Sequence, residues 1–550
     1  MPMLTSRVIW GENEYKLINI GSLTYVKKLE EIQMKKFAVF VKKHKEIIAL
    51  AFISICALAL HLIMLDKIPG GWNIDEAGMA YDAWSIAHYG VDRYRYAYPL
   101  YLINFGGGQS VMYAYMTVIL IKIFGFSKFI IRIPSVIMSM MVLFAGLGFL
   151  KISGSDRRTR IWWAVLFTIL PFFIMAGRLG QDCNLMLGSA AIFLLCLAWA
   201  LKDGRLRWFV LAGVSCGAVL YTYVLSYFIM ILFLIMMFVY LLYMKKMTLK
   251  QAICFCVPVA VIAAPLIMVQ LINIFDLNTI KLWKFTLIKL PEYRIGELSL
   301  PRLSNFPKVF KSVFMYDWVG FSSNSKYYTL FKVSIPFFAV GFVRGIIKLV
   351  KNIRSRCFDM YDGLFIWFVA EWVVGLMIGG AGATSYKMNG IYFSVLYYIV
   401  TGILTTVDFI KFRKTAAAVI AVVYAVFAVS FLKYYFTEEP DIRQRFMSDT
   451  YPEVVEFIEN NEKISGLPVF MGYTYYIYYL VSALPSPYDI DMEHIEEYAG
   501  RYFFGLPDDV VYDACYVLFE ADWEYKEKLY PLGLRIKNFD NNITIMYPEY

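Results

Sequence analysis

Two adjacent acids, Asp75 and Glu76, lie in the segment GGWNIDEAGMAYDAWSIAHYGVDRYRY, which begins at Gly70. A carboxylate held at a membrane surface can act as general base toward an acceptor hydroxyl. The same acids fit the first turn of a helix from about Glu76 to Tyr89, capped by Asn73 or Asp75, and a capped position also fixes a catalytic group. Further candidates are Arg132 in FIIRIPS, Arg178 and Asp182 in GRLGQDCN, and Lys387 and Asn389 in TSYKMNG. An arginine beside an apolar helix is costly unless an anion meets it or it snorkels to the interface. A lipid-linked phosphate would be such an anion. Arg178 and Asp182, four apart, can instead pair with each other, and Lys387 can be a plain interfacial anchor. Two neighbouring carboxylates can help hold a divalent cation, but without a histidine or third acid they do not define a metal site.

The elements that must position these groups are membrane helices. Of the 550 residues only 17% are charged and 59% are apolar, against about 25% charged in a soluble domain. Apolar runs of membrane-spanning length recur from position 46 to 433, which excludes a soluble enzyme and indicates a polytopic, all-α membrane protein. The eight cysteines lie mostly inside apolar runs, and Cys254 with Cys256 forms C-x-C without a second half, so neither a disulfide framework nor a zinc site is expected. No G-x-x-x-x-G-K loop supports ATP-driven transport, and no nucleic-acid partner is expected. The first apolar run follows 45 Lys-rich residues and reads as an uncleaved anchor. Residues 1–33 look unlike the rest, so Met1 and Met34 are both candidate starts.

The net charge of +10 hides an asymmetry: residues 434–550 carry −14 and residues 1–433 carry +24. Lys and Arg in short loops stay inside. Lys27, Lys28, Lys35, Lys36, Lys42, Lys43 and Lys45 therefore place the N-terminus inside, as do the basic loops 151–160, 202–207, 245–250, 348–356 and 411–414. That bookkeeping leaves the apolar run 109–124 no room to cross, so it is expected to lie along the outer interface; crossing there would put the basic 151–160 loop outside. Eleven spans result. The expected organisation is a cytoplasmic segment 1–45, a multi-span domain 46–433 with external loops 66–130 and 273–331, and an external acidic domain 434–550.

The tail reads as small α/β, with a helix over 453–462, strands at 468–471 and 515–519, and a hairpin of 535–539 with 543–546 across Asn541-Asn542. Under this topology Asp75, Glu76, Arg132, Arg178, Asp182 and Lys387 share the outer face, which suits transfer from an anionic donor. The segment 278–303 alternates Lys with Trp, Phe, Leu and Ile, as a loop on anionic headgroups would.

IDEAGMAYDAWSIAHYG, then IKIFGFSKFIIRIPSVI, then AGRLGQDCNL together resemble the bacterial membrane glycosyltransferases related to the protein O-mannosyltransferases (glycosyltransferase family 39), of the GT-C class. The resemblance covers most of 46–410. It implies transfer of a sugar, hexosyl or mannosyl, from a polyprenyl-phosphate donor to a hydroxyl acceptor at the outer face of a bacterial plasma membrane, with inversion. It also implies Asp75 as base or acceptor-orienting group, Glu76 as the family's second acid and Arg132 at the donor phosphate. Arg178 and Lys387 are further donor-phosphate candidates, and Asp182 and Asn389 substrate-binding ones. The family's His-Pro-Pro-Leu-Gly-Lys run is absent, with NFGGGQ (104–109) in its place, and 273–331 holds no large inserted domain. A glycan or lipid acceptor is thus as well supported as a protein.

The rival reading is a lipid or polysaccharide transporter, or a non-catalytic envelope-assembly protein. Glu371, near the middle of an apolar run, keeps it open; the lack of internal repeats or matching halves counts against it.

Overall fold

The computed structural model describes residues 44–550 except 105, 294–297, 318, 380–381, 439–449, 473–475, 492–493, 495–496, 540–542 and 550. The N-terminal segment with Met34, and the Asn541-Asn542 turn, lie outside the described residues. The chain divides after Ile55. Of the first part only the start of helix α1 (His44–Leu62) is described.

The elements then run α2 (Ile74–Tyr89), β1 (Leu102–Asn104), β2 (Gly107–Gln109), α3 (Met112–Phe124), α4 (Lys128–Ile152), α5 (Arg157–Ile169), α6 (Pro171–Ala176), α7 (Asn184–Asp203) and α8 (Leu206–Val219). Next come α9 (Ser226–Tyr243), α10 (Leu249–Ile274), the hairpin of β3 (Ile280–Leu282) and β4 (Phe285–Leu287), and α11 (Phe306–Phe314). Helices α12 (Ser334–Ser355), α13 (Met360–Met377), α14 (Tyr392–Phe409) and α15 (Arg413–Thr437) complete the membrane part.

Among the described residues eight helices are long and apolar enough to cross a membrane: α1, α4, α7, α9, α10, α13, α14 and α15. The other three expected crossings hold helices that fall short on length or charge. One is α5 with α6, interrupted before Pro171; another is α8, of 14 residues; the third is α12, which carries Arg344, Lys348, Lys351 and Arg354. Helix α3 has 13 residues, about 20 Å at 1.5 Å each, too short for a hydrocarbon core of about 30 Å. It packs between α2 and α4 with Ile119, Ile123 and Phe124 exposed, the arrangement expected of an interfacial helix.

The five basic loops gather at one end of the bundle. Arg158 Nη1 meets Asp408 Oδ1 at 2.9 Å, Lys202 Nζ donates to Ile152 O at 2.7 Å, and Gln251 Nε2 to Gly204 O at 2.8 Å. Tyr243 OH reaches Ile353 O at 3.4 Å. Between them the helices pack through small residues, as membrane helices do when side-chain bulk would hold backbones apart. A Cβ on Gly341 would strike Tyr398 O, and one on Gly402 would strike Phe337 O, so α12 and α14 approach only with glycine at both positions.

The tail continues with α16 (Tyr451–Asn460), β5 (Val469–Met471), α17 (Tyr476–Ala483), β6 (Tyr498–Ala499), β7 (Tyr502–Phe504), β8 (Cys515–Leu518), α18 (Trp523–Leu529), β9 (Arg535–Asn538) and β10 (Thr544–Tyr547). Its six-stranded sheet has the order β6-β7-β5-β8-β10-β9, parallel where β5 meets β7 and β8 and antiparallel elsewhere. Every tail element expected from the sequence is present. Helix α17 was not expected, and it docks the tail: Ile477 and Leu480 share one hydrophobic core with Met79, Tyr81 and Ala83 of α2. Tyr478 OH donates to Trp72 O at 3.2 Å, and Tyr81 OH to Pro485 O at 2.7 Å. Arg95 Nε donates to Pro487 O at 2.8 Å.

Candidate active site

Helix α2 starts with a capping box. Asn73 Oδ1 accepts from Asp75 N at 2.9 Å and Glu76 N at 3.5 Å, while Glu76 Oε2 accepts from Asn73 N at 3.4 Å. Asn73 is thus the cap, and Asp75 is left one turn position in, half-buried, with Oδ1 accepting from Asn104 Nδ2 of β1 at 2.9 Å. The strand pair β1–β2 holds Asn104 there across 29 residues of chain.

Glu76 faces the other way. It is fully buried and meets Arg132, Nε to Oε1 at 2.7 Å and Nη2 to Oε2 at 3.0 Å, and accepts from Gly180 N at 3.0 Å. The remaining Arg132 protons go to Leu65 O and Pro69 O at 2.9 Å each and to Gly71 O at 2.8 Å. All five guanidinium donors are spent. Arg178 also turns to main-chain oxygens: Nη1 donates to Leu60 O at 2.6 Å, and Nη2 to Ile63 O and Ile68 O at 2.8 Å each, while its buried Nε has no hydrogen-bond partner among the described residues. Its guanidinium lies 5.1 Å from the Phe436 ring centre. The two arginines therefore cap the open carbonyls at the end of α1, where cations are favoured.

This geometry argues against three expected roles. Glu76 is consumed by an ion pair, Arg132 has no proton left for a phosphate, and Arg178 turns to α1 rather than to Asp182. Asn389 is also structural: it is buried and donates to Cys183 O, fixing the turn before α7. Lys387, half-buried beside Tyr386, makes no ion pair among the described residues.

Asp182 comes near Asp75 from that same turn, accepting from Cys183 N at 2.7 Å. Burial and the neighbouring Asp75 carboxylate push its carboxyl up to about 7. Burial, then Cys183 and Tyr386 and lastly the two acids, raises the phenol of Tyr223 well above its ordinary value, and burial with Cys183 and Asp75 raises that of Tyr386. The candidate site is thus two neighbouring carboxylates, an amide and buried phenols. Asn104, Tyr223 and Tyr386 carry no motif; only the fold brings them in. Among the described residues no three His, Cys, Asp or Glu side chains cluster to hold a metal. Asp75, Asp182 and Asn104 Oδ1 are the oxygens on offer to a divalent cation, which wants more ligands than these.

Residues 108–272 match the family described as dolichyl-phosphate-mannose-protein mannosyltransferase. The matched stretch holds Arg132, Arg178 and Asp182. Among solved structures, ArnT from Cupriavidus metallidurans bound to undecaprenyl phosphate superposes with TM-score 0.53 and 13% identity, over 90% of this chain and 97% of that one. Its apo state gives the same values. The archaeal oligosaccharyltransferase AglB from Archaeoglobus fulgidus, in complex with an inhibitory peptide and a dolichol-phosphate, aligns at TM-score 0.47 and 13% identity over 80% and 64% of the two chains. No curated protein sequence matches. Fold and match define the class: an integral membrane protein of the GT-C fold. Within it, this chain has an ArnT-like frame and is similar, over 108–272, to the mannosyltransferase family model.

Proposed function

We propose that the protein transfers a sugar from a polyprenyl-phosphate donor to a hydroxyl acceptor at the end of the bundle opposite the basic loops, which faces the outside of a bacterial plasma membrane. The observation that carries this reading is the juxtaposition of Asp75, at the start of α2, and buried Asp182 on a GT-C frame. The undecaprenyl phosphate bound to ArnT supports the donor class.

As the acceptor oxygen bonds to the anomeric carbon, its proton passes to the Asp75 carboxylate, and the bond from that carbon to the phosphate oxygen breaks with inversion. The departing lipid phosphate gathers negative charge, and the Lys387 ammonium offsets it. One well-placed donor in a partly dry site contributes roughly 3 kcal/mol. Asp182 holds the acceptor through hydrogen bonds, and Glu76, Arg132 and Arg178 hold the frame. The acceptor is an envelope glycan, a lipid or a protein.

Membranes containing the wild type or Asp75→Asn are incubated with radiolabelled polyprenyl-phosphate sugars and envelope extract, following label into polymer, glycolipid and protein. Transfer by the wild type alone supports the reading. Transfer surviving in the variant removes Asp75 as base. No transfer by either moves the weight to a transporter, whose supporting observation is Glu371: fully buried on α13, with neither carboxyl oxygen hydrogen-bonded among the described residues.

A further inference from the structure

A polar cavity of about 310 Å³ lies at the basic end of the bundle, between the loop after α4 and helices α12 and α14. Helix α4 carries Arg132 near its start and ends at this cavity, so the two sites are about 30 Å apart at 1.5 Å per residue. Nothing in the proposed transfer reaction uses it.

Three cations reach it from two elements: Arg158 from α5, and Arg344 with Lys348, one turn apart, from α12. Two acids also line it, and both are engaged by Arg158. Its Nε meets Asp156 Oδ2 at 3.0 Å, while Nη1 and Nη2 meet the Asp408 oxygens at 2.9 and 3.3 Å. Arg344 is differently placed. Its Nη1 donates to Thr405 Oγ1 at 2.7 Å, and its Nε and Nη2 protons have no hydrogen-bond partner among the described residues. Lys348 Nζ pairs with Asp359 at 2.6 Å and lies 5.0 Å from the Tyr361 ring centre, with donors to spare. The wall behind is aromatic: Tyr361 and Tyr397 stack at 4.7 Å. Beside Arg344 and Lys348 the same helix exposes Val340, Val343 and Ile347.

We propose that this cavity binds the phosphate of an anionic lipid headgroup. A guanidinium with free donors and an ammonium one helical turn away suit a phosphate, which accepts several charge-assisted hydrogen bonds at once. Basic pockets between membrane helices at the cytoplasmic side are suited to such headgroups. The exposed apolar flank of α12 supplies the contact for acyl chains. A soluble phosphate ester shares the headgroup's chemistry but would leave that flank unused.

The test uses the full chain in detergent, with native mass spectrometry reading retention of phosphatidylglycerol against phosphatidylcholine, and inorganic phosphate as competitor. The wild type is expected to favour phosphatidylglycerol about tenfold, with Arg344→Gln/Lys348→Gln losing that preference and Arg344→Lys keeping most of it. Both variants are required to elute and melt as the wild type does. Thermal stabilisation by inorganic phosphate in the wild type but not the double variant, without lipid preference, assigns the same site to a soluble phosphate. Equal retention of both lipids and no response to phosphate, or a preference that survives the double substitution, overturns the proposal.

Discussion

Arg132 and Glu76 meet as a fully buried pair, Nε to Oε1 at 2.7 Å, from positions 56 residues apart. The pair ties three segments to one another: the end of α1 through carbonyls, the start of α2 through Glu76, and the turn before α7 through Gly180. Both carboxylates proposed for the reaction stand on what it ties, Asp75 one residue before Glu76 and Asp182 two residues after Gly180.

Breaking the pair leaves a charge buried without its partner, which costs about 3 to 5 kcal/mol. Glu76→Gln and Arg132→Met are each expected to lower the melting temperature in detergent sharply, and Gly180→Ala to do the same, because its Cβ would lie 2.5 Å from Glu76 Oε1. Donor KM in whatever folded Arg132→Met remains should be near that of the wild type. A selective rise in donor KM at unchanged stability would return Arg132 to the phosphate.

Asp75→Asn preserves shape and the oxygen that accepts from Asn104. It should leave the melting temperature unchanged and lower the transfer rate by about 10²- to 10⁴-fold, the usual loss of a general base. Single-turnover transfer with a pre-loaded donor separates this from weak binding.

The Asp182 carboxyl, raised from 3.8 to about 7, keeps in the native state a proton that the unfolded chain releases. Stability therefore declines as pH rises from about 4 to 7, and Asp182→Asn lacks that decline. Because the ionised Asp182 carboxylate is the form that accepts from an acceptor hydroxyl, the transfer rate of the wild type should rise with pH through a step near 7. In Asp182→Asn that step should be lost. A step unmoved by the substitution would assign it to another group.

Lys387→Gln removes a cation that has no ion pair to break among the described residues, so stability should hardly change. The expected effect is a donor affinity about tenfold weaker, with the deficit smaller for a donor carrying less phosphate charge. Equal kinetics for the two proteins would leave Lys387 as an anchor only.

Charge placement made much of the architecture readable in advance. The basic 151–160 loop forced 109–124 out of the list of crossings, and α3 is indeed too short to span. Short continuous apolar runs marked β5 and β8 as buried strands, and two short strand-like runs flanking Asn541-Asn542 marked the β9–β10 hairpin. The roles of Arg132 and Arg178 were not readable, because their partners are main-chain oxygens between Leu60 and Gly71, which leave no trace in residue type. Helix α17 escaped for a related reason: its tyrosine-rich face is apolar on all sides and has no period until α2 packs against it.

The docking of the tail on α2 sets an order of events. Tyr81 waits for Pro485, 404 residues further along the chain, which at 5 to 20 residues per second is a delay of roughly 20 to 80 s during synthesis. Through that interval the Asp75 loop lacks its packing against α17, so a chain cut short before α17 carries every residue of the candidate site yet leaves bare the face of α2 that α17 covers.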